Sequence, residues 1–298
     1  MKILLATDGS ETAAAAGALL AALPLAPETE VRIVTVLPDR PSWSEIFGGR
    51  LTDNASLIAE VEKEQRERAE RTLTEAAAPF RGRLAGVSTA VVSGHPGSEI
   101  LQAADTWGAD LIVMGSRGRT GLVVVLLGST AEFVAKRART SALVVRGEGR
   151  PPERILLATD GSEHSRRAME RVGELPLPRS ARVTVLHVTE SFYAHPGLLP
   201  TLREEFERTV QEIRRAQRQN ADLLVEGTCR YLEAAGFPAV GAVRTGSPAE
   251  EILAAAREEG ADLVVVGARG LSAAKEFLIG SVSGRLLRYA PCSVLIAR

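Results

Sequence analysis

Short apolar runs alternate with longer amphipathic stretches along the whole chain. In the first half the runs are Ile3–Ala6, Val31–Val36, Val87–Val92, Leu111–Met114 and Ala142–Val145. In the second half they are Ile155–Ala158, Val183–Val188, Ala239–Val243, Leu263–Val266 and Ser293–Ile296. Their hydrophobicity is continuous rather than alternating, as expected for parallel strands covered on both faces. The stretches between them predict helices in the first half over residues 13–22, 55–78, 98–107 and 129–138, the last with Ser129 as its N-cap. Strand and helix in alternation imply an α/β fold, a doubly wound five-stranded parallel sheet with helices on both faces. Such sheets bind ligands beyond the carboxyl ends of their strands, where the strand order reverses. The polar residues that follow strands are therefore the site candidates.

The pattern occurs twice. Residues 3–11 and 155–163 both read ILLATDGSE, nine identities at an offset of 152. The same offset relates Gly94 to Gly246, Pro96 to Pro248 and Ala109-Asp110-Leu111 to Ala261-Asp262-Leu263. It also carries Gly115, Arg117, Gly118, Gly128 and Ser129 onto Gly267, Arg269, Gly270, Gly280 and Ser281. One domain has been duplicated in tandem, giving expected domains at 1–147 and 153–298 with the Gly- and Pro-rich segment 147–152 as linker.

After the fourth strand of each unit stands G-x-x-G-x9-G-S. Glycines permit positive φ and close approach of the backbone to an anion. Consecutive amides form anion-binding nests. The closing Gly-Ser falls where a helix begins, so free amides and the helix dipole face the same ligand. The serine hydroxyl either donates to phosphate or caps the helix. The pattern therefore reads as a phosphate cradle; as ordinary β-to-α turns the same glycines need no ligand. No lysine follows a glycine, which excludes a Walker A loop, and no G-x-G-x-x-G follows a strand, which excludes a standard dinucleotide fingerprint.

Composition narrows the classes further. The 298 residues carry 36 basic and 37 acidic side chains, for a formal charge of -1, which argues against a nucleic-acid polycation. The longest apolar run, Leu122–Leu127, is far shorter than the roughly 20 residues of a membrane span. An acidic residue at position 8 interrupts the first apolar run, so no signal-peptide core is expected. Cys229 and Cys292 read as buried thiols of a reducing compartment rather than a disulfide or metal framework. A soluble cytoplasmic protein is expected, with neither nucleic-acid nor membrane partners.

With those motifs in view, both units resemble the universal stress protein family over nearly their whole length. The residues that carry the resemblance are ILLATDGSE, Gly94-His95-Pro96 with Gly246-Ser247-Pro248, and the two G-x-x-G-x9-G-S segments. It implies a fold of the adenine-nucleotide hydrolase-like, Rossmann-like type and binding of ATP as cofactor. Gly115, Arg117, Gly118, Gly128 and Ser129, with Gly267, Arg269, Gly270, Gly280 and Ser281, would hold ribose and phosphates. Asp8 and Asp160 would sit beside the nucleotide; for both, an Asx turn or helix cap is the alternative. Val36 and Val188 would present backbone groups to adenine, or simply pack in the core. A carboxylate beside phosphates leaves a place for a divalent cation such as Mg2+. Dimer-like, pseudo-twofold pairing of the two units through their short fifth strands follows from the resemblance and from the exposed edge such strands present. A chain-to-chain homodimer near Leu122–Leu127 is a further option. The variable loops 38–52 and 190–201 contain Trp43, Phe47, Phe192, Tyr193 and His195, which either cover a ligand or pack on their own domain.

No nucleophile–base pair, HExxH or GxSxG is present, and the four histidines stand in unrelated settings. His187, within a strand, reads as a satisfied buried histidine. The expectation is a nucleotide-binding stress-response sensor or regulator. A dimerisation module without nucleotide and a slow ATPase are the alternatives.

Overall fold

The structure is a computed structural model that describes residues 1–38, 55–118, 127–190, 200–270 and 279–298, with side chains from 59 and from 208 in the two segments that open with a long helix. The chain forms two compact units, Met1–Pro151 and Pro152–Arg298. The first runs β1 (Lys2–Ala6), α1 (Glu11–Ala22), β2 (Glu30–Leu37), α2 (Ala55–Ala77), β3 (Gly86–Ser93), α3 (Pro96–Trp107), β4 (Leu111–Gly115), α4 (Ser129–Arg137) and β5 (Ser141–Val145). The second runs β6 (Arg154–Ala158), α5 (Glu163–Glu174), β7 (Arg182–Thr189), α6 (Pro200–Ala234), β8 (Ala239–Thr245), α7 (Pro248–Glu258), β9 (Leu263–Gly267), α8 (Ser281–Tyr289) and β10 (Ser293–Ala297).

Within the first unit the strand order is β3-β2-β1-β4-β5, and within the second β8-β7-β6-β9-β10. Within each unit all pairings are parallel. Ile3 is in register with Val31 on one side and Leu111 on the other, and Ile155 with Val183 and Leu263. The order reverses between β1 and β4, and between β6 and β9, which fixes where a ligand crevice opens.

Sequence explains the layering. Residues 3–6 of β1 and the first four of β4 are buried, so their unbroken apolar runs face helices on both sides. The third strand, GVSTAVVS, has exposed Ser88 and Thr89 at the edge of the order. Helix α1 starts where Ser10 Oγ accepts from Ala13 N at 3.3 Å, and α5 where Ser162 Oγ accepts from Ser165 N at 3.2 Å. Helix α3 opens two residues earlier than its polarity pattern suggests, because Pro96 is preset for the first helical position. It closes at Gly108 in the left-handed conformation, φ 70°. Between β5 and β6, Gly149 is buried in the left-handed conformation, φ 71°, and a Cβ there would strike the Ala15 carbonyl of α1, so both its backbone angle and its packing require glycine. No helix among the described residues is long and apolar enough to cross a membrane.

Candidate functional site

A cavity of about 570 Å³ lies in the first unit and one of about 610 Å³ in the second, both within the usual range for small-molecule sites. Each opens over the carboxyl ends of the first, second and fourth strands of its unit, beside the reversal of strand order.

The first loop supplies the carboxylate. Gly9 and Gly161 adopt φ 73° and 78°, turning the chain so that Asp8 Oδ1 accepts from Ser10 N and Asp160 Oδ1 from Ser162 N, both at 3.0 Å. The Asx turn and the cavity-lining role therefore coexist: one oxygen orders the loop, and the other lies against the loop after the fourth strand. A Cβ on Gly118 would stand 2.8 Å from Asp8 Oδ2, and one on Gly270 2.5 Å from Asp160 Oδ2.

The loop after the fourth strand is pinned at both ends. Ser116 N donates to Val145 O at 2.9 Å, and Gly128 N donates back to Ser116 O at 2.8 Å. In the second unit Ala268 N donates to Ala297 O and Gly280 N to Ala268 O, both at 2.8 Å. The first and last glycines of each motif are thus brought to the same place despite the twelve residues between them. Thr12 Oγ1 donates to the Arg117 carbonyl and accepts from Arg117 N at 3.3 Å, tying this loop to α1.

Two expectations need correction. None of the six motif glycines has a positive φ; those angles belong to Gly9, Gly161, Gly94 and Gly246 instead. The motif glycines are required for space: a Cβ on Gly115 would fall 2.5 Å from the Thr12 carbonyl carbon, and one on Gly267 2.6 Å from that of His164. Nor is Ser129 the N-cap. Gly128 occupies that position, φ −66° and ψ 147°, and Ser129 begins the helix; Gly280 and Ser281 repeat the arrangement. The Gly128 amide bond to Ser116 O sets the chain direction one residue early. Neither α4 nor α8 has a side-chain cap, in contrast to α1 and α5, so their first-turn amides and positive dipole ends face the cavity mouth.

All fourteen residues expected from the sequence line the two cavities: Asp8, Val36, Gly115, Arg117, Gly118, Gly128 and Ser129 in the first, and Asp160, Val188, Gly267, Arg269, Gly270, Gly280 and Ser281 in the second. The segments 39–54, 119–126, 191–199 and 271–278 lie outside the described residues. They include Trp43, Phe47, Phe192, Tyr193, His195 and Leu122–Leu126.

Sequence reasoning missed the long-helix wall. Gln65 and Arg68 of α2, and Gln217 and Asn220 of α6, line their cavities. The identity of Gln65 and Gln217 at the offset of 152 is the signal that marks them. It also missed the floor. Thr35 Oγ1 donates to Thr7 O at 2.9 Å; at the matching position His187 Nδ1 lies 2.8 Å from Thr159 O. A carbonyl only accepts, so Nδ1 carries the proton. His187 is satisfied, as expected, but half-buried and on the cavity wall.

Electrostatics differ between the loops. His164 stands where the first unit has Thr12. Burial holds its pKa below the ordinary 6.5, assisted by the cations Arg269, Arg167 and Arg298 and opposed by Glu163, and its Nδ1 has no hydrogen-bond partner. Burial and the nearby Arg269 also bring Arg298 down to about 10. Arg269 and Arg298 thus lie close enough to each other to interact beside the second glycine loop. Among the described residues no cluster of three His, Cys, Asp or Glu side chains forms a metal site.

These features define a tandem of Rossmann-like α/β domains, each with a glycine-loop cavity at its switch point. The model of the universal stress protein family matches residues 1–146 and again 152–298, so the chain belongs to that family and carries its domain twice. It is 32% identical over 145 residues to universal stress protein YxiE of Bacillus subtilis, covering 49% of this chain and 98% of that one. A universal stress protein of Thermus aquaticus is 36% identical over 145 residues, 48% of this chain and 97% of its own length. Among solved structures, a universal stress protein from Archaeoglobus fulgidus matches 100% of this chain and 98% of its own at a TM-score of 0.63 and 21% identity, a likeness of fold.

Proposed function

We propose that each unit binds an adenine nucleotide, ATP, and that the protein is a nucleotide-responsive sensor or regulator of the universal stress protein family. The observation that carries this reading is the convergence, twice, of an uncapped helix N-terminus, a glycine loop with an arginine, and a cavity large enough for a nucleotide. The glycine amides and Arg117 or Arg269 suit the phosphates, and the strand ends at Val36 and Val188 suit a planar base. Asp8 and Asp160 each offer one carboxylate next to the phosphate loop. That donor set fits Mg2+, which is commonly held by one or two carboxylates together with substrate phosphates. When bound, the ion neutralises charge that the aspartate and the polyphosphate would otherwise oppose.

Calorimetry on nucleotide-stripped protein tests the proposal, with two ATP sites per chain as the expected result. Ligand at 100 times its dissociation constant should add about 2.7 kcal/mol to the stability of the unit it occupies. Absence of both heat and thermal stabilisation at millimolar ATP would leave a nucleotide-free assembly module as the better reading. Multiple-turnover phosphate release separately distinguishes a slow ATPase from a binding protein.

A further inference from the structure

The two cavities share their glycine frame but not their walls. Between lining residues paired at the offset of 152, the differences gather on the side of the second strand and the long helix. Arg68 is replaced by Asn220, Pro38 by Glu190, and Thr35 by His187. The permanently charged lining of the first cavity is Arg68 and Arg117 against Asp8; that of the second is Arg269 against Asp160 and Glu190. Among the described lining residues the first cavity is therefore net positive and the second net negative, a difference of two charges, while the motif glycines and the arginine between them are the same in both. Arg68 and Glu190 are exposed at the cavity walls and make no ion pair among the described residues.

We infer that the two sites are specialised by ligand charge: the cavity of Met1–Pro151 for adenosine di- and triphosphates, and that of Pro152–Arg298 for the monophosphate. The inference deepens the adenine-nucleotide reading and rests on it. Each phosphate added to the nucleotide carries further negative charge into a concave, partly desolvated space, where a nearby arginine attracts it and a nearby glutamate repels it. The change from Thr35 to His187 keeps the bond to the carbonyl after the first strand while placing a bulkier donor ring on the wall. Asn220 and Glu190 add neutral and acceptor groups suited to the uncharged part of a nucleotide.

The test uses the full chain with one site disabled at a time. Gly270→Val isolates the first site and Gly118→Val the second, and dissociation constants for AMP, ADP and ATP are measured by calorimetry at low salt. The preference for ATP over AMP should be at least tenfold greater at the first site than at the second, and the gap should shrink in 0.5 M salt, where the Debye length falls below about 5 Å. Arg68→Asn should lower the preference at the first site, and Asn220→Arg with Glu190→Pro should raise it at the second. Preferences within threefold of each other, or reversed, would overturn the inference while leaving nucleotide binding intact. Failure of the parent protein to bind any of the three nucleotides at millimolar concentration would overturn the function reading and this inference with it. Should either glycine variant unfold, a two-site titration of Arg68→Asn decides: ATP weakening confined to one site supports the inference, and unchanged isotherms refute it.

Discussion

Two glycines three residues apart in the same motif should fail in different ways when substituted. At Gly118 an added side chain meets the far end of Asp8, with its Cβ 2.8 Å from Oδ2, and the backbone angle there is one that any residue adopts. Asp8 can swing aside, at the cost of the 3.0 Å bond it accepts from Ser10 N, a net loss of about 1 kcal/mol. For a domain of this size that is a fall in Tm of about 2–4 °C. Gly115 faces backbone instead. A Cβ there would stand 2.5 Å from Thr12 C, 2.6 Å from Thr12 O and 2.7 Å from Ala13 N. Those atoms are the first turn of α1 and move only with the helix. Overpacking of this kind costs about 1–3 kcal/mol even for one methyl group. Gly118→Val should therefore keep the fold and lose the ligand. Displacing the loop amide from a phosphate removes a charge-assisted hydrogen bond of about 1.5–3 kcal/mol, or about ten- to a hundredfold in Kd. Gly115→Ala should lower Tm of the unliganded protein by more than Gly118→Val does. Melting curves without nucleotide, paired with ATP calorimetry, read both quantities. A Gly118→Val protein that binds ATP like its parent, or that melts as low as Gly115→Ala, would refute the division of labour.

Three further outcomes follow from particular contacts. Because burial and neighbouring arginines depress the pKa of His164, the unfolded chain binds its proton more tightly, so stability of Pro152–Arg298 should be present above pH 6.5 and decline as pH falls below it. His164→Thr should flatten that decline, and an unchanged acid profile would count against it. If Asp8 and Asp160 hold Mg2+ beside the phosphates, Asp8→Asn with Asp160→Asn should abolish most of the gain in ATP affinity that Mg2+ confers; a gain that persists in the double variant would exclude these carboxylates. Ser10→Ala removes the acceptor for Ala13 N and should cost about 1 kcal/mol in chemical denaturation, with no such effect from Ser129→Ala, since the cap of α4 is Gly128.

The fold was legible because strand burial leaves a composition signature. Unbroken apolar runs such as LLA in β1 and LIVM in β4 arise where helices cover both faces, and the offset of 152 counted the domains. The location of the site followed from topology alone. Two details were not legible, for physical reasons. A glycine's identity does not reveal whether it is needed for its φ or for its missing Cβ, and here the motif glycines serve close approach while Gly9 and Gly161 supply the positive angles. A Gly-Ser pair at a helix start allows either residue to cap, and the choice fell to Gly128 through its amide bond to Ser116 O, a contact made across the motif. The α2 wall was hidden because Gln65 and Arg68 lie far along the chain from the strands they face.

Duplication shows which of these constraints are strict. The position whose side chain would strike backbone in both units is identical in both: Gly115 and Gly267 against the start of a helix. Positions that need only a donor have drifted in identity and kept the bond, as Thr35 and His187 have on the carbonyls of Thr7 and Thr159. Thr12 is less protected still: its two bonds to Arg117 hold the loop after β4 to α1, and His164 in its place leaves Nδ1 without a partner amid three arginines. The wall positions have changed most, including a loss and a gain of charge. Steric contact with the main chain thus preserves the cradle in both copies. The wall side chains carry no such restraint, so the two domains keep one scaffold while their cavities present different groups to a ligand.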